Sequence, residues 1–108
     1  MNVKVEKAGG LTRFSIEGDM TIYHAVELKK SIFENLQGVE PLQGAEPLQG
    51  VEAVEFDLNG VSDMDTAGVQ LLMLVLREAK ASRKSVKITA HSNATKKIFD
   101  LYSLNGRF

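Results

Sequence analysis

Four short stretches of the chain alternate apolar and polar residues, and three longer ones repeat apolar residues at spacings of three and four. Val3 and Val5 stand among Asn2, Lys4 and Glu6, and Phe14 and Ile16 among Arg13, Ser15 and Glu17. Val54, Phe56 and Leu58 alternate with Glu55 and Asp57, and Val86 and Ile88 with Lys87 and Thr89. Each is the period-two pattern of a strand with one buried face. Ala8-Gly9-Gly10 between the first two reads as the turn of an antiparallel hairpin, which Gly18 and Asp19 end. Ala25, Leu28, Ile32 and Leu36 form the stripe of an amphipathic helix, with Thr21 as its expected cap and Ile22 and Tyr23 near its start. Val69, Leu72, Leu76 and Ala79 form a second stripe, on a helix that begins at Thr66. Ala94, Ile98 and Leu101 form a third, with Asn93 as the expected cap and Asn105-Gly106 as its end. Arg83 and Lys84 mark the turn before the fourth strand, and Arg107 and Phe108 are expected to begin a very short fifth one at an edge.

The predicted order is ββαβαβα. No strand is the continuous apolar run that a parallel sheet covered on both faces requires. The expected fold class is therefore α/β: a small mixed β-sheet with helices packed on one face and the other face wet. Strand–helix–strand steps imply parallel pairing through right-handed crossovers. The chain of 108 residues is expected to be a single domain.

Between the first helix and the third strand the sequence LQGVEP, LQGAEP, LQGVEA repeats a six-residue unit over residues 36–53. So short a period matches no stacking repeat. Pro41 and Pro47 oppose helix, and Gly38 is a helix stop. Residues 38–52 are thus expected to be a lengthened surface loop, whose closure costs little extra entropy.

Composition narrows the function classes. The formal net charge is −1, so no basic footprint points to nucleic acid. There is no cysteine, which excludes disulfides and thiol chemistry. The first ten residues lack an apolar signal core, and the run from Val69 to Leu76 is too short to span a bilayer. A cytoplasmic protein without membrane insertion is the expectation.

The most informative stretch is Val54 to Lys80, VEFDLNGVSDMDTAGVQLLMLVLREAK. After the strand, Asn59 to Asp65 reads as a polar loop carrying Gly60, Ser62, Asp63 and Asp65. It leads into a strongly apolar helix, with a hydroxyl at the entry. A helix N-terminus has unpaired N–H groups and the positive end of the macrodipole, so it favours a side-chain oxygen or a phosphate. Asp65 or Thr66 is expected there as an N-cap. Ala67 and Gly68 are small enough to let another backbone or a partner surface approach.

The run D-L-N-G-V-S-D-M-D-T-A-G-V, followed by an apolar helix, resembles the signature loop of STAS domains, the fold of bacterial anti-sigma-factor antagonists. The segment GDMTIYHAVELKKSIFENL also resembles the stretch from the second strand into the first helix of that family, while the six-residue repeat is a departure from it. In the family the residue after the loop's last Asp is often a Ser or Thr phosphorylated by a partner kinase. The resemblance implies that Thr66 is the phosphoacceptor and that Asp63, Met64, Asp65, Ala67 and Gly68 belong to a partner-binding surface.

Little else suggests chemistry. Asp57, Asp63 and Asp65 could suggest magnesium, but no second ligand cluster accompanies them, and solvated loop acids plus a cap are the simpler reading. His24 stands alone without metal-ligand spacing. There is no phosphate loop and no nucleophile elbow. No enzyme activity, cofactor or metal is expected. Leu71, Met73, Leu74 and Val75 make the second helix apolar off its main stripe, and Met64 continues an apolar patch at its first turn, as a docking surface would. Two protein partners fit the resemblance. One is a serine/threonine kinase that is also an anti-sigma factor, making this chain a phosphorylation-regulated switch. The other is the ATPase of a phospholipid-trafficking ABC transporter, with this chain as its STAS accessory subunit. Asp65-Thr66-Ala67-Gly68, with Thr and Ala where switch proteins often carry Ser-Ser, keeps the second open.

Overall fold

The computed structural model describes residues 1–37 and 50–108. Its elements are β1 (Asn2–Ala8), β2 (Leu11–Met20), α1 (Ala25–Gln37), β3 (Ala53–Met64), α2 (Thr66–Ala81), β4 (Ser85–His91) and α3 (Asn93–Leu101). The order is the predicted ββαβαβα. The strands form one sheet in the order β1-β2-β3-β4. β1 and β2 are antiparallel across Gly9-Gly10, whose φ values of 55° and 87° suit the tight hairpin turn that favours glycine. β2, β3 and β4 pair in parallel.

Alternation does what the sequence pattern requires. Phe14 lies opposite Phe56 and Val54 opposite Val86, and the two phenyl rings stack at 5.4 Å. These strand residues form one apolar cluster with Leu28, Ile32 and Leu36 of α1, Leu72, Leu76 and Ala79 of α2, and Phe99 of α3. The residues between them turn the other way. There Arg13 donates from Nε and Nη2 to Glu55 Oε1 at 3.0 and 2.8 Å. Leu71 and Val75 are buried as well, which accounts for much of the apolar excess of α2.

The structure corrects several local expectations. Gly18 and Asp19 do not end the hairpin; β2 runs on to Met20, which is fully buried. Asn59 to Met64 is not a loop but the second half of β3. Two extra residues on β3, relative to β2, break the register between Ser15 and Glu17 and between Gly18 and Asp19. The bulges turn the inward period from two to three, so that Leu58, Val61 and Met64 are the buried positions. Thr21 caps no helix. Its carbonyl closes a turn with His24 N at 3.0 Å, and α1 starts only at Ala25, with the His24 carbonyl accepting from Leu28 N at 2.9 Å.

In α3 the cap is Ser92 rather than Asn93. Ser92 Oγ accepts from Thr95 N at 3.1 Å, and Thr95 Oγ1 accepts from Ser92 N at 2.9 Å. Thr95 and Phe99 are the buried residues, and Leu101 is 70% exposed. The Phe99 ring takes the core position because it meets His91 edge-on at 4.6 Å and Phe108 at 5.6 Å. Phe108 packs against that end of the core as a side chain, and Arg107 and Phe108 begin no strand. The helix stops at Leu101, before Asn105-Gly106. The expected loop over residues 38–52 lies mostly outside the described residues; of its last part, Val51 is buried and Glu52 N donates to Gly10 O at 2.7 Å.

His91 gives a pH-dependent reading of this packing. Burial pushes its imidazole pKa below the ordinary value of 6.5, against the pull of Asp100 and with some help from Lys96. The unfolded chain therefore binds the proton more readily, and the stabilisation present above pH 6.5 is lost as the pH falls through the lowered pKa. The melting temperature is expected to drop on acidification through this window, and to drop less in His91→Gln. Equal drops in both proteins would exclude the histidine as a source.

Candidate functional site

The site is the junction between the end of β3 and the start of α2, beside the turn that leaves β2. Asp65 is its keystone. Its backbone is extended, and its Oδ1 accepts from Ala67 N at 2.9 Å and Gly68 N at 3.4 Å, which makes it the N-cap of α2. Its Oδ2 accepts from Ile22 N at 3.0 Å, so the same carboxylate ties down the segment between β2 and α1. Asp65 N donates to Met20 O at 3.3 Å. Replacing Asp65 by Ala leaves three N–H donors without this partner and is expected to cost about 1–2 kcal/mol. A denaturant midpoint unchanged in Asp65→Ala would contradict this assignment.

Because Asp65 is the cap, Thr66 is free of that duty. It is the first residue of α2 and is exposed. Ala67 follows, half-buried. Asp63 is exposed and pairs in register with Asp19 of β2, whose Oδ1 accepts from the Ser62 hydroxyl at 2.8 Å. Thr66 thus follows directly on the capping Asp65, three residues beyond Asp63, which lies opposite Asp19 at the strand ends. Met64 and Gly68, by contrast, lie beneath the surface. Met64 is buried, and Gly68 sits where a Cβ would come within 2.4 Å of Met20 O and 3.1 Å of Met64 Cγ. Their small or flexible side chains set the close approach of α2 to the end of β2. Asp57 stands apart, with Oδ1 accepting from Asn59 N at 3.0 Å.

Sequence reasoning pointed to an apolar patch on α2 but missed the part of it contributed by the segment before α1 and by α1 itself. Ile22, Tyr23 and Val26 are 68%, 90% and 82% exposed. Ile22 and Val26 border a groove of about 310 Å³ that continues onto Ala67, Leu71 and Leu74 of α2. Val26 was recognisable as an apolar residue off the α1 stripe; Ile22 and Tyr23 were masked by the expectation that the helix began there. Asp19 was hidden in the same way, as a supposed hairpin end. The junction therefore presents a hydroxyl, a set of carboxylates and an apolar groove side by side, which suits recognition of a protein surface. Among the described residues no three His, Cys, Asp or Glu side chains come together to hold a metal, and no helix is long and apolar enough to cross a membrane.

Comparison with known proteins identifies the family and the fold. Residues 3–108 match the family model described as Mlab, STAS domain. Solved structures of similar fold include the anti-sigma factor antagonist SpoIIAA in its unphosphorylated form, with a TM-score of 0.75 at 17% identity over 97% of this chain and 84% of that one. An anti-sigma factor antagonist from Mycobacterium paratuberculosis superposes with a TM-score of 0.74 at 19% identity, over 99% of this chain and 81% of its own. The Bacillus cell fate determinant SpoIIAA in its phosphorylated form gives 0.69 at 18% identity, over 97% and 86%. Among curated protein sequences none is significantly similar. Sheet order, helix placement and the family match together place this chain in the STAS domain family.

Proposed function

We propose that the chain is a non-catalytic protein-interaction switch of the anti-sigma-factor-antagonist kind, regulated by phosphorylation of Thr66. The observation that carries this reading is the division of labour at the start of α2: Asp65 does the capping, and Thr66 is left exposed at a helix N-terminus. A phosphate there would add roughly −1.5 to −2 charges at neutral pH. The helix N-terminus favours that charge, while Asp63 and Asp65 oppose it. The fold is accordingly expected to tolerate the modification. A partner surface fitted to a neutral hydroxyl would not, because it would have to desolvate the added charge. Asp63, Asp65 and Ala67 then border the contact directly, and Met64 and Gly68 shape it from below. The partner is a serine/threonine kinase that also acts as an anti-sigma factor, and the site of action is the cytoplasm of a bacterium.

The tetrapeptide Asp65-Thr66-Ala67-Gly68 and the description of the matching family model favour a second reading, in which Thr66 is a contact to the ATPase of a phospholipid-trafficking ABC transporter. Affinity capture from the source cell, with mass spectrometry of the partners and of Thr66, separates the two. A kinase together with phosphate on Thr66 is expected for the switch. A transporter ATPase with unmodified Thr66 would replace it by the second reading, and recovery of neither would reject both.

A further inference from the structure

We infer a second docking surface on this chain, separate from Thr66: a groove along the outer face of α2 that takes an acidic amphipathic helix of a protein partner. The groove has a volume of about 620 Å³. Val69, Met73 and Leu74 supply its apolar floor, and Arg77, Lys80 and Arg107 line its other end. Among the described residues no carboxylate lines it. The three floor residues are half-buried, whereas the three cations are exposed. Among the described residues none of these cations takes part in an ion pair; the ion pairs formed are those of Arg13 with Glu6 and Glu55.

Three features define the occupant. First, Val69, Met73, Arg77 and Lys80 follow one another at spacings of four, four and three along α2, so the groove runs with the helix for about 16 Å. That is the length of three helical turns and suits a rod laid alongside rather than a compact molecule. Second, the apolar and charged parts are segregated along the axis, matching a helix with an apolar stripe and acids towards one end. Methionine at the centre of the floor adapts to different side chains. Third, three cations without an ion-pair partner among the described residues, at one end of an apolar floor in a chain of net charge −1, are a local excess of positive charge and call for carboxylates from a partner. The groove shares Leu74 with the apolar groove beside Thr66, so a partner engaged at one end of α2 can continue along the other.

The test is a titration of the whole chain with a synthetic amphipathic helix of about four turns, carrying a leucine stripe and glutamates towards one end. The controls are a twin with lysines for the glutamates and a scrambled peptide of the same composition. Backbone amide NMR is expected to place the shifts on Val69 to Lys80 and at Arg107. The R77E/K80E variant is expected to bind the acidic helix at least about tenfold more weakly and to prefer the lysine twin, an exchange of partners that a merely structural role does not produce. If a melt shows that this variant is unfolded, Arg107→Glu alone carries the charge test with the same expected direction. Equal binding of the scrambled peptide, or an affinity indifferent to charge reversal, would overturn the inference. Decanoate below its micelle concentration is the other arm: perturbation of the groove by this fatty-acid anion with no response to the peptide would mean a small amphiphile site instead.

Discussion

Gly68→Ala is expected to unfold the chain at a clearly lower denaturant concentration than the parent. The added Cβ would stand 2.4 Å from Met20 O and 3.1 Å from both Met20 Cβ and Met64 Cγ. The methionine side chains can give way, but the carbonyl belongs to the backbone of a parallel pair, with Met20 held in register opposite Met64. Relief therefore means lifting the first turn of α2 off β2. That movement strains the Asp65 contacts to Ile22 N, Ala67 N and Gly68 N. Overpacking of this kind costs about 1–3 kcal/mol, and occasionally more. The better helix propensity of alanine returns at most about 1 kcal/mol. A net loss is expected, and Gly68→Val should be worse. A urea midpoint for Gly68→Ala at or above that of the parent would show that α2 does not approach β2 so closely.

Leu72→Ala is expected to cost about 2–5 kcal/mol, the range for truncating a buried leucine whose surroundings relax only in part. Leu72 is 1% exposed and belongs to the cluster that joins Phe56, Val75 and Phe99. For a domain of this size, each 1 kcal/mol moves the melting temperature by about 4–8 °C, so the loss is readable by thermal melt. An unchanged melt would place this face of α2 outside the core. The two substitutions probe different links: Leu72 tests burial, and Gly68 tests the distance at which the candidate site is assembled.

The elements that follow one simple period were legible in the sequence. Phe14 and Ile16, Val54 to Leu58, and Leu72 to Ala79 landed on the faces their spacing predicts, and the element order and one-sided packing followed from them. What was not legible came from interactions between segments. The second half of β3 looked like a loop because its bulges give it a period of three and its outward residues are Asn59, Gly60, Ser62 and Asp63. Only pairing with β2, distant in sequence, reveals it as strand. In α3 the competition was between side chains: three aromatic rings at one end of the core decide that Phe99 goes in and Leu101 out. At the site, the sequence pointed to Asp65 and Thr66 but could not divide their roles. That division depends on Ile22 N, far away in sequence, which the Asp65 carboxylate also holds.

The resolved cap changes what substitutions at Thr66 should do. Since Asp65 supplies the capping oxygen, Thr66→Ala removes no cap and should leave stability close to that of the parent. Thr66→Glu adds a negative charge to the first turn, where the helix dipole favours it and Asp63 and Asp65 oppose it, so its melting temperature should also change little.

The most direct measurement is therefore the affinity of the captured partner for the parent, Thr66→Ala and Thr66→Glu, with melts of all three as the control for folding. The proposed switch predicts that Thr66→Glu binds at least about tenfold more weakly than the parent at an unchanged melting temperature, and that Thr66→Ala binds like the parent but no longer responds to the kinase. Unaltered binding by Thr66→Glu would contradict it.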